Sequence, residues 1–363
     1  MENLKSPALP VSSTLPNRES APPRQFFGSQ GHATLVLIVV TLFWGLSFPL
    51  VKDWQEAAKD CPGGDIVSSL TLIALRMILA LSILAVFSPR LFRAPSWRDH
   101  AIGMVIGGVC FGGFTFQVVG QARTTPALSA FITSLSSAWV PLVAWVFLRN
   151  AVSWVTLAGL GMGILGAACL AINGGGGMTL EGGEGLTLVS TLFFAGQILL
   201  LSHLGRTVPA GNLTVGFFAA TGLAACLIGM VYISAGPGLT AWWQWLTGML
   251  TKLPILRGLG LLAVFSTVLT FHWMNVYQPQ ISANRAALIY LLEPVFAAMF
   301  SVVLGHEALT LYLLIGGGLI LGGNCLVELP GWLRSLNKKN ASGATPGSTM
   351  EPVAVTITAS SPN

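Results

Sequence analysis

Ten runs of about twenty mainly apolar residues recur along this 363-residue chain. Each is long enough to cross the hydrocarbon of a bilayer, which takes about 20 residues in a helix. Within a few residues at each end they cover 33–52, 66–87, 101–120, 127–148, 152–173, 186–205, 212–235, 256–277, 284–304 and 309–329. Lipid offers a backbone amide no partner, so a spanning segment is either a helix or a strand of a closed barrel. Continuous apolar runs lack the alternation of barrel strands. The expectation is an all-α integral membrane protein with ten transmembrane helices. Composition agrees, because 9% of residues are charged and 53% hydrophobic, whereas a soluble domain carries about 25% charged residues.

The order of the runs sets an expected topology. With the N-terminus inside, the cytoplasmic segments hold twelve Lys and Arg and the outer loops five, with Arg76 left over inside a span. That bias places both termini in the cytoplasm of a multi-pass protein. It also accounts for the net charge of +5 without any nucleic-acid partner. Residues 1–32 and 331–363 are polar and poor in apolar residues, and read as disordered cytoplasmic tails. Cys110, Cys169, Cys226 and Cys325 lie in apolar runs and read as small hydrophobes, and only Cys61 falls in a polar loop. No cysteine pair has metal spacing. In 236–255, Leu239, Trp242, Trp243, Leu246 and Leu250 recur at helical spacing, which predicts a short helix on the outer interface.

The chain repeats itself. A shift of 157 residues lays Phe114 on Phe271, Gln121 on Gln278, Ala130 on Ala287, Leu135 on Leu292 and Ala151 on Ala308. The same shift lays Gly159, Gly161 and Gly166 on Gly316, Gly318 and Gly323. Two five-span halves follow, 33–173 and 186–330, joined by a Gly-rich linker at 174–185. An odd number of spans turns the second copy over, so the halves are expected to be inverted repeats. Two such halves can open the space between them to one side and then to the other, which is the geometry of a transporter.

The runs TLFWGLSFPLVK in span 1, IALRMILAL in span 2 and YLLEPVFAAMFSVVLGHEALT in spans 9 and 10 carry a resemblance to a known family. With the duplicated ten-helix layout, the chain resembles the EamA family of the drug/metabolite transporter superfamily over about residues 33–330. The resemblance implies a carrier with a central cavity that moves small metabolites across a bacterial inner membrane, often outward. The first half departs from the family pattern. Ser137 stands opposite Pro294 and Asn150 opposite Glu307, while Pro141 comes four residues late. That places the span-4 kink about one turn further on.

Polar residues inside the spans are the candidate substrate site. Arg76 sits near the middle of span 2, where an arginine costs about 2.5–3.5 kcal/mol on insertion scales and needs a partner or water. Glu293 lies in the middle of span 9. Each charge is absent from the other half, so the two are expected to pair with each other or to grip the two ends of a zwitterion. A carboxyl group at that depth can also exchange a proton, which leaves proton coupling open. Gln117 and Gln121 share a face of span 3, while His272, Asn275 and Gln278 lie along span 8. Tyr290 joins Glu293 on one face of span 9, Trp44 lies in FWGLSFP, and Gln197 holds the corresponding place in span 6. Interhelical hydrogen bonding is the plainer reading for the small hydroxyls, and helix capping the plainer one for Glu307.

Other functions are weaker fits. None of the spans has a central Asp, and neither H-E-x-x-H nor a P-loop occurs. An intramembrane enzyme and a non-transporting receptor or scaffold are the alternatives to a secondary transporter of a small metabolite, of the amino acid or amphiphilic amine type, with export favoured by the family. The sequence implies no cofactor or metal, and either a monomer or a homodimer.

Overall fold

The computed structural model describes residues 30–93, 96–140, 154–173, 183–281, 286, 289–323 and 325–326. Residues 1–29 and 331–363 of the expected tails, residues 174–182 of the linker, Pro141, Arg149, Asn150 and Arg285 lie outside these residues, whereas 30–32 and 183–185 open helices and do not continue the tail or the linker. The described residues form helices and connecting turns with no strand. In chain order the helices are α1 Gln30–Ala57, α2 Gly64–Phe87, the single turn α3 Arg90–Arg93, α4 Trp97–Gln121, α5 Pro126–Ser134 and α6 Trp154–Asn173. Then come α7 Gly183–Leu204, α8 Ala210–Ala235, α9 Leu239–Leu250, α10 Leu253–Ala263, α11 Thr270–Tyr277, α12 Leu292–Val303 and α13 Leu311–Gly323. Among the described residues six helices are long and apolar enough to cross a membrane: α1, α2, α4, α7, α8 and the composite Leu253–Gln280. The other four expected spans are represented by shorter apolar helices: Pro126–Val140, Leu157–Gly166 within α6, α12 and α13. Apolar side chains such as Phe87 (81% exposed), Val303 (74%) and Trp154 (85%) project from the bundle, as suits a surface solvated by lipid.

Small residues set how closely the helices approach. A methyl group on Gly45 of α1 would lie 2.6 Å from Phe296 Cβ and 2.8 Å from Ala297 N of α12. On Gly107 of α4 it would strike the Phe217 carbonyl of α8. The glycines of α6 and α13 pack reciprocally: a methyl on Gly166 would meet Gly316 O and Ile320, and one on Gly323 would meet Gly159 O and Gly163 N. The 157-residue shift maps each of these contacts onto the other. Small-xxx-small spacing permits this kind of backbone contact.

Two interruptions break the regular helices. α5 tightens at Leu135 (φ −62°, ψ −14°) before resuming to Val140, and a matching turn at Leu291 (φ −64°, ψ −14°) precedes α12. The two sit within one residue of repeat equivalence. The described irregularity in span 4 lies at Leu135; the kink expected about Pro141 falls outside the described residues. Between α10 and α11 the chain forms a π-helical stretch, Val264–Leu269. There Thr267 Oγ1 donates to Leu262 O, five residues back, at 2.7 Å. Such bulges recur at functional sites, and nothing in the sequence announced this one.

Where α1 ends and α2 begins, Lys52 Nζ ties α1 to the turn after α4 within the first half, donating to Thr124 O at 3.0 Å and Ala122 O at 3.4 Å. Beside it, two polar contacts join the halves. His306 Nε2 lies 3.0 Å from Asp53 Oδ1. Glu307 Oε1 accepts from Ala127 N at 2.7 Å, beside the Thr125 N-cap, whose hydroxyl accepts from Leu128 N. Glu307 does cap a helix, but the helix is α5 of the first half and not its own. α9 packs over this end. Its buried stripe is Trp242, Trp245, Leu246 and Met249, while Leu239 and Trp243 face outward. The expected stripe thus mixed two faces, because a helix with apolar residues on both sides has no single inward face for spacing to mark.

Candidate functional site

A cavity of about 80 Å³ lies between the two halves. The first half supplies Trp44, Ser47 and Phe48 from α1, and Phe114 and Gln117 from α4. It also supplies Thr133 and Ser134 from α5, with Ser136 and Ser137 just past the Leu135 turn. The second half supplies Phe194, Gln197 and Ile198 from α7, Phe271 and Met274 from α11, Tyr290, and Glu293 from the first turn of α12. Ser136 and Glu293, repeat partners, each follow their half's tight turn. The two interruptions thus deliver equivalent backbone to the same space.

The wall is largely aromatic. Trp44 lies 5.3 Å from Tyr290 and 5.5 Å from Phe271, ring centre to ring centre. Phe114 meets Phe271 edge to face at 5.8 Å and Phe194 at 5.9 Å. Phe114 and Phe271 are equivalent under the repeat and pack on each other. Trp44 Nε1 donates to Thr270 Oγ1 at 3.1 Å, which fixes the indole. Gln117 Nε2 donates to Thr133 Oγ1 at 3.0 Å, and Gln197 Nε2 lies 3.8 Å from Met274 Sδ. Among the described residues Glu293 has neither a hydrogen bond nor an ion pair, and no Lys, Arg or His lines the cavity.

Of the residues singled out from sequence, Trp44, Gln117, Gln197, Tyr290 and Glu293 share this cavity. The other five are held elsewhere. Gln121 Nε2 donates to Phe48 O of α1 at 2.6 Å. Its repeat partner Gln278 donates to Ile198 O and Ser202 Oγ of α7, and accepts from Tyr290 Oη at 2.7 Å. Each glutamine therefore ties a span to a backbone carbonyl in the first helix of its own half. Asn275 Nδ2 donates to Thr214 Oγ1 and joins α11 to α8. His272 stays off the cavity wall, with its Nδ1 buried and unpartnered.

Arg76 corrects an expectation. It does not pair with Glu293. Its Nε and Nη2 both donate to Thr267 Oγ1 at 3.2 Å, and its guanidinium carbon lies 5.5 Å from the centre of the Phe114 ring. The π-helical stretch presents Thr267 to α2 and gives the cation a hydroxyl and an aromatic face, in place of the Glu293 carboxylate that was one of the expected partners. The aromatic lining from Phe114, Phe194 and Phe271 was missed as a site feature. Phenylalanines in apolar spans look like core, and the only signal pointing at two of them was the repeat register.

A model of the EamA-like transporter family matches residues 32–172 and 182–329. The chain is similar to an "Uncharacterized transporter" of Archaeoglobus fulgidus, 28% identical over 84% of this chain and 90% of that one. It is similar to an "S-adenosylmethionine/S-adenosylhomocysteine transporter" of Chlamydia muridarum, 25% identical over 81% and 91%. It is also similar to a "Probable terminal-alkyne amino-acid exporter" of Streptantibioticus cattleyicolor, 25% identical over 70% and 89%. A crystal structure shares the fold with a TM-score of 0.58 at 19% identity, over 85% of this chain and 99% of its own.

Proposed function

The chain belongs to the EamA-like transporter family, and from that premise we propose a secondary transporter that carries a small metabolite across the membrane by alternating access of two inverted five-helix halves. The observation that carries the proposal is the cavity, whose walls come from both halves and in which the repeat partners Phe114 and Phe271 touch. Residues that a two-fold exchange interchanges meet each other only where they lie close to its axis, as at an isologous contact. The reciprocal glycine contacts of α6 and α13 obey the same exchange. The two segments matched by the family model divide the chain where the duplication puts its seam. With five spans per half, that axis lies in the membrane plane, an arrangement that suits alternating access.

The proposed location is a bacterial inner membrane, with both termini in the cytoplasm. Export is favoured, since one relative is named an exporter. The working unit of this reading is a monomer or a homodimer. The test is flux into and out of proteoliposomes holding the purified chain, with a panel of amino acids and organic amines, with and without a pH gradient. Saturable flux that a bulky cysteine adduct in the cavity wall abolishes supports the reading. Flux equal to that of empty vesicles for the whole panel, in a folded preparation that binds panel members, counts against it in favour of a receptor. A response to the pH gradient supports proton coupling, and indifference to it removes that coupling.

A further inference from the structure

Resting on the transporter reading, we propose that the π-helical stretch Val264–Leu269 is a hinge, about which α10 tilts between the two open states while α11 stays in place, with Arg76 as the positioning residue that holds the stretch in its present form. The two sides of the stretch are packed very differently. α11 is pinned. Thr270 Oγ1 accepts from the Trp44 indole, Asn275 Nδ2 donates to Thr214 Oγ1, and Phe271 stacks on Phe217 with ring centres 4.8 Å apart. α10 is apolar except for Arg257, and Leu253, Leu256 and Leu261 project from it with 40–55% of their surface exposed. A methyl group added to Gly258 or Gly260 would meet nothing within 4 Å. A single span thus joins a loosely packed segment to an anchored one.

The repeat supplies a control. Residues 107–112, the partners of Val264–Leu269, lie in the unbroken helix α4, so the break is not demanded by the fold of a half. Side chains maintain it. In an α-helix a threonine hydroxyl donates to a carbonyl three or four residues back. Thr267 Oγ1 instead reaches Leu262 O, five back, at 2.7 Å, and satisfies a carbonyl that lipid could not. The same oxygen accepts from both Nε and Nη2 of Arg76. Beside it, Ser266 Oγ donates to Phe43 O at 2.8 Å. The stretch is therefore seated on α1 and α2 of the other half. Helices bend at such bulges, and hinges are short segments that absorb the backbone change of a larger motion.

The test places nitroxide labels on the full chain in lipid nanodiscs, with the native cysteines replaced, and reads distances by pulsed electron resonance. One pair joins Gly108 of α4, where a side chain meets open space, to Leu253 at the far end of α10. The other joins Gly108 to Val276 of α11. Tilting the 11-residue helix α10 by about 20° moves its end about 5 Å. Two distances separated by about that much are expected for Leu253, and one for Val276. A single Leu253 distance, with or without the panel of amino acids and organic amines, would overturn the proposal, and so would equal changes in both pairs. These readings need no altered hinge, so the proposal stands exposed even if a variant fails to fold. Deleting Val264 takes the extra residue out of the coil. It is expected to merge the two Leu253 distances and to cut flux at least tenfold, while Val264→Ala spares both; a folded deletion that keeps two distances would refute the hinge. Thr267→Val is expected to shift the two populations at least threefold and Thr267→Ser to restore them, and unchanged populations in folded Thr267→Val would remove the role of Arg76. Flux separates this inference from the reading beneath it. Two Leu253 distances in a chain that carries none of the panel keep the hinge and remove the transporter. Panel flux with one Leu253 distance does the reverse.

Discussion

Arg76 is 4% exposed, and its neutral partners raise the question of what holds it. A charged donor to a hydroxyl is worth about 1.5–3 kcal/mol, and leaving a buried charge unsatisfied costs at least as much. Thr267→Val should therefore lower the thermal midpoint in detergent, with a cost of roughly 1–3 kcal/mol. The double variant Arg76→Met, Thr267→Val should recover part of that loss, because exchanging both members of a buried polar pair for apolar groups is often close to neutral. A double variant less stable than Thr267→Val alone would show that Arg76 has another essential partner. Glu307 makes a pH prediction. Burial pushes its carboxyl above the ordinary 4.5, against the opposing pull of the Ala127 amide, the Thr125 hydroxyl, His306 and Lys52. The folded chain thus keeps this proton to higher pH than the unfolded chain does. Its stabilising contribution is complete below the ordinary value and fades as pH rises through the raised one. Glu307→Gln can still accept from Ala127 N but cannot ionise. Its thermal midpoint should gain on the wild type as pH rises above about 4.5, and a constant difference across that range would contradict the assignment.

At the scale of helices, packing rests on a few glycines. Gly45→Ala and Gly107→Ala each force a methyl into backbone or side-chain atoms of a neighbouring helix, and overpacking of this kind costs about 1–3 kcal/mol. Gly108→Ala, one residue along α4 and with open space around it, should leave the thermal midpoint unchanged or raise it slightly. Much of this level was legible in the sequence. Apolar runs located the spans, and the repeated glycines of α6 and α13 pointed to close contact. Two things were not legible. A π-helical turn adds one residue to a coil without changing composition, so Val264–Leu269 read as ordinary helix. Polar stripes on both α4 and α11 looked equally suited to a cavity, yet Gln121, Asn275 and Gln278 satisfy themselves on neighbouring helices. An amide in lipid seeks a partner whether or not a ligand is near, and spacing alone cannot tell the two fates apart.

For the whole molecule, the duplication makes a prediction that depends on no side chain in the cavity. Arg123 and Gln280 are separated by the repeat shift, and both are exposed at helix ends. Single cysteines at these positions, in a background lacking the five native ones, should react with a membrane-impermeant maleimide in intact cells at position 123 and only after lysis at position 280. Labelling of both from the same side would end the inverted arrangement. The touching pair Phe114 and Phe271 has a mechanical corollary. In the proposed alternating access a point near the axis of exchange keeps its neighbour whichever mouth is open, so these rings would act as a fulcrum while the helix ends swing. The travel then falls at the rims. One rim carries Asp53 with His306 and the Ala127 amide with Glu307 as a clasp between the halves, so prising it open takes effort that the pivot never feels.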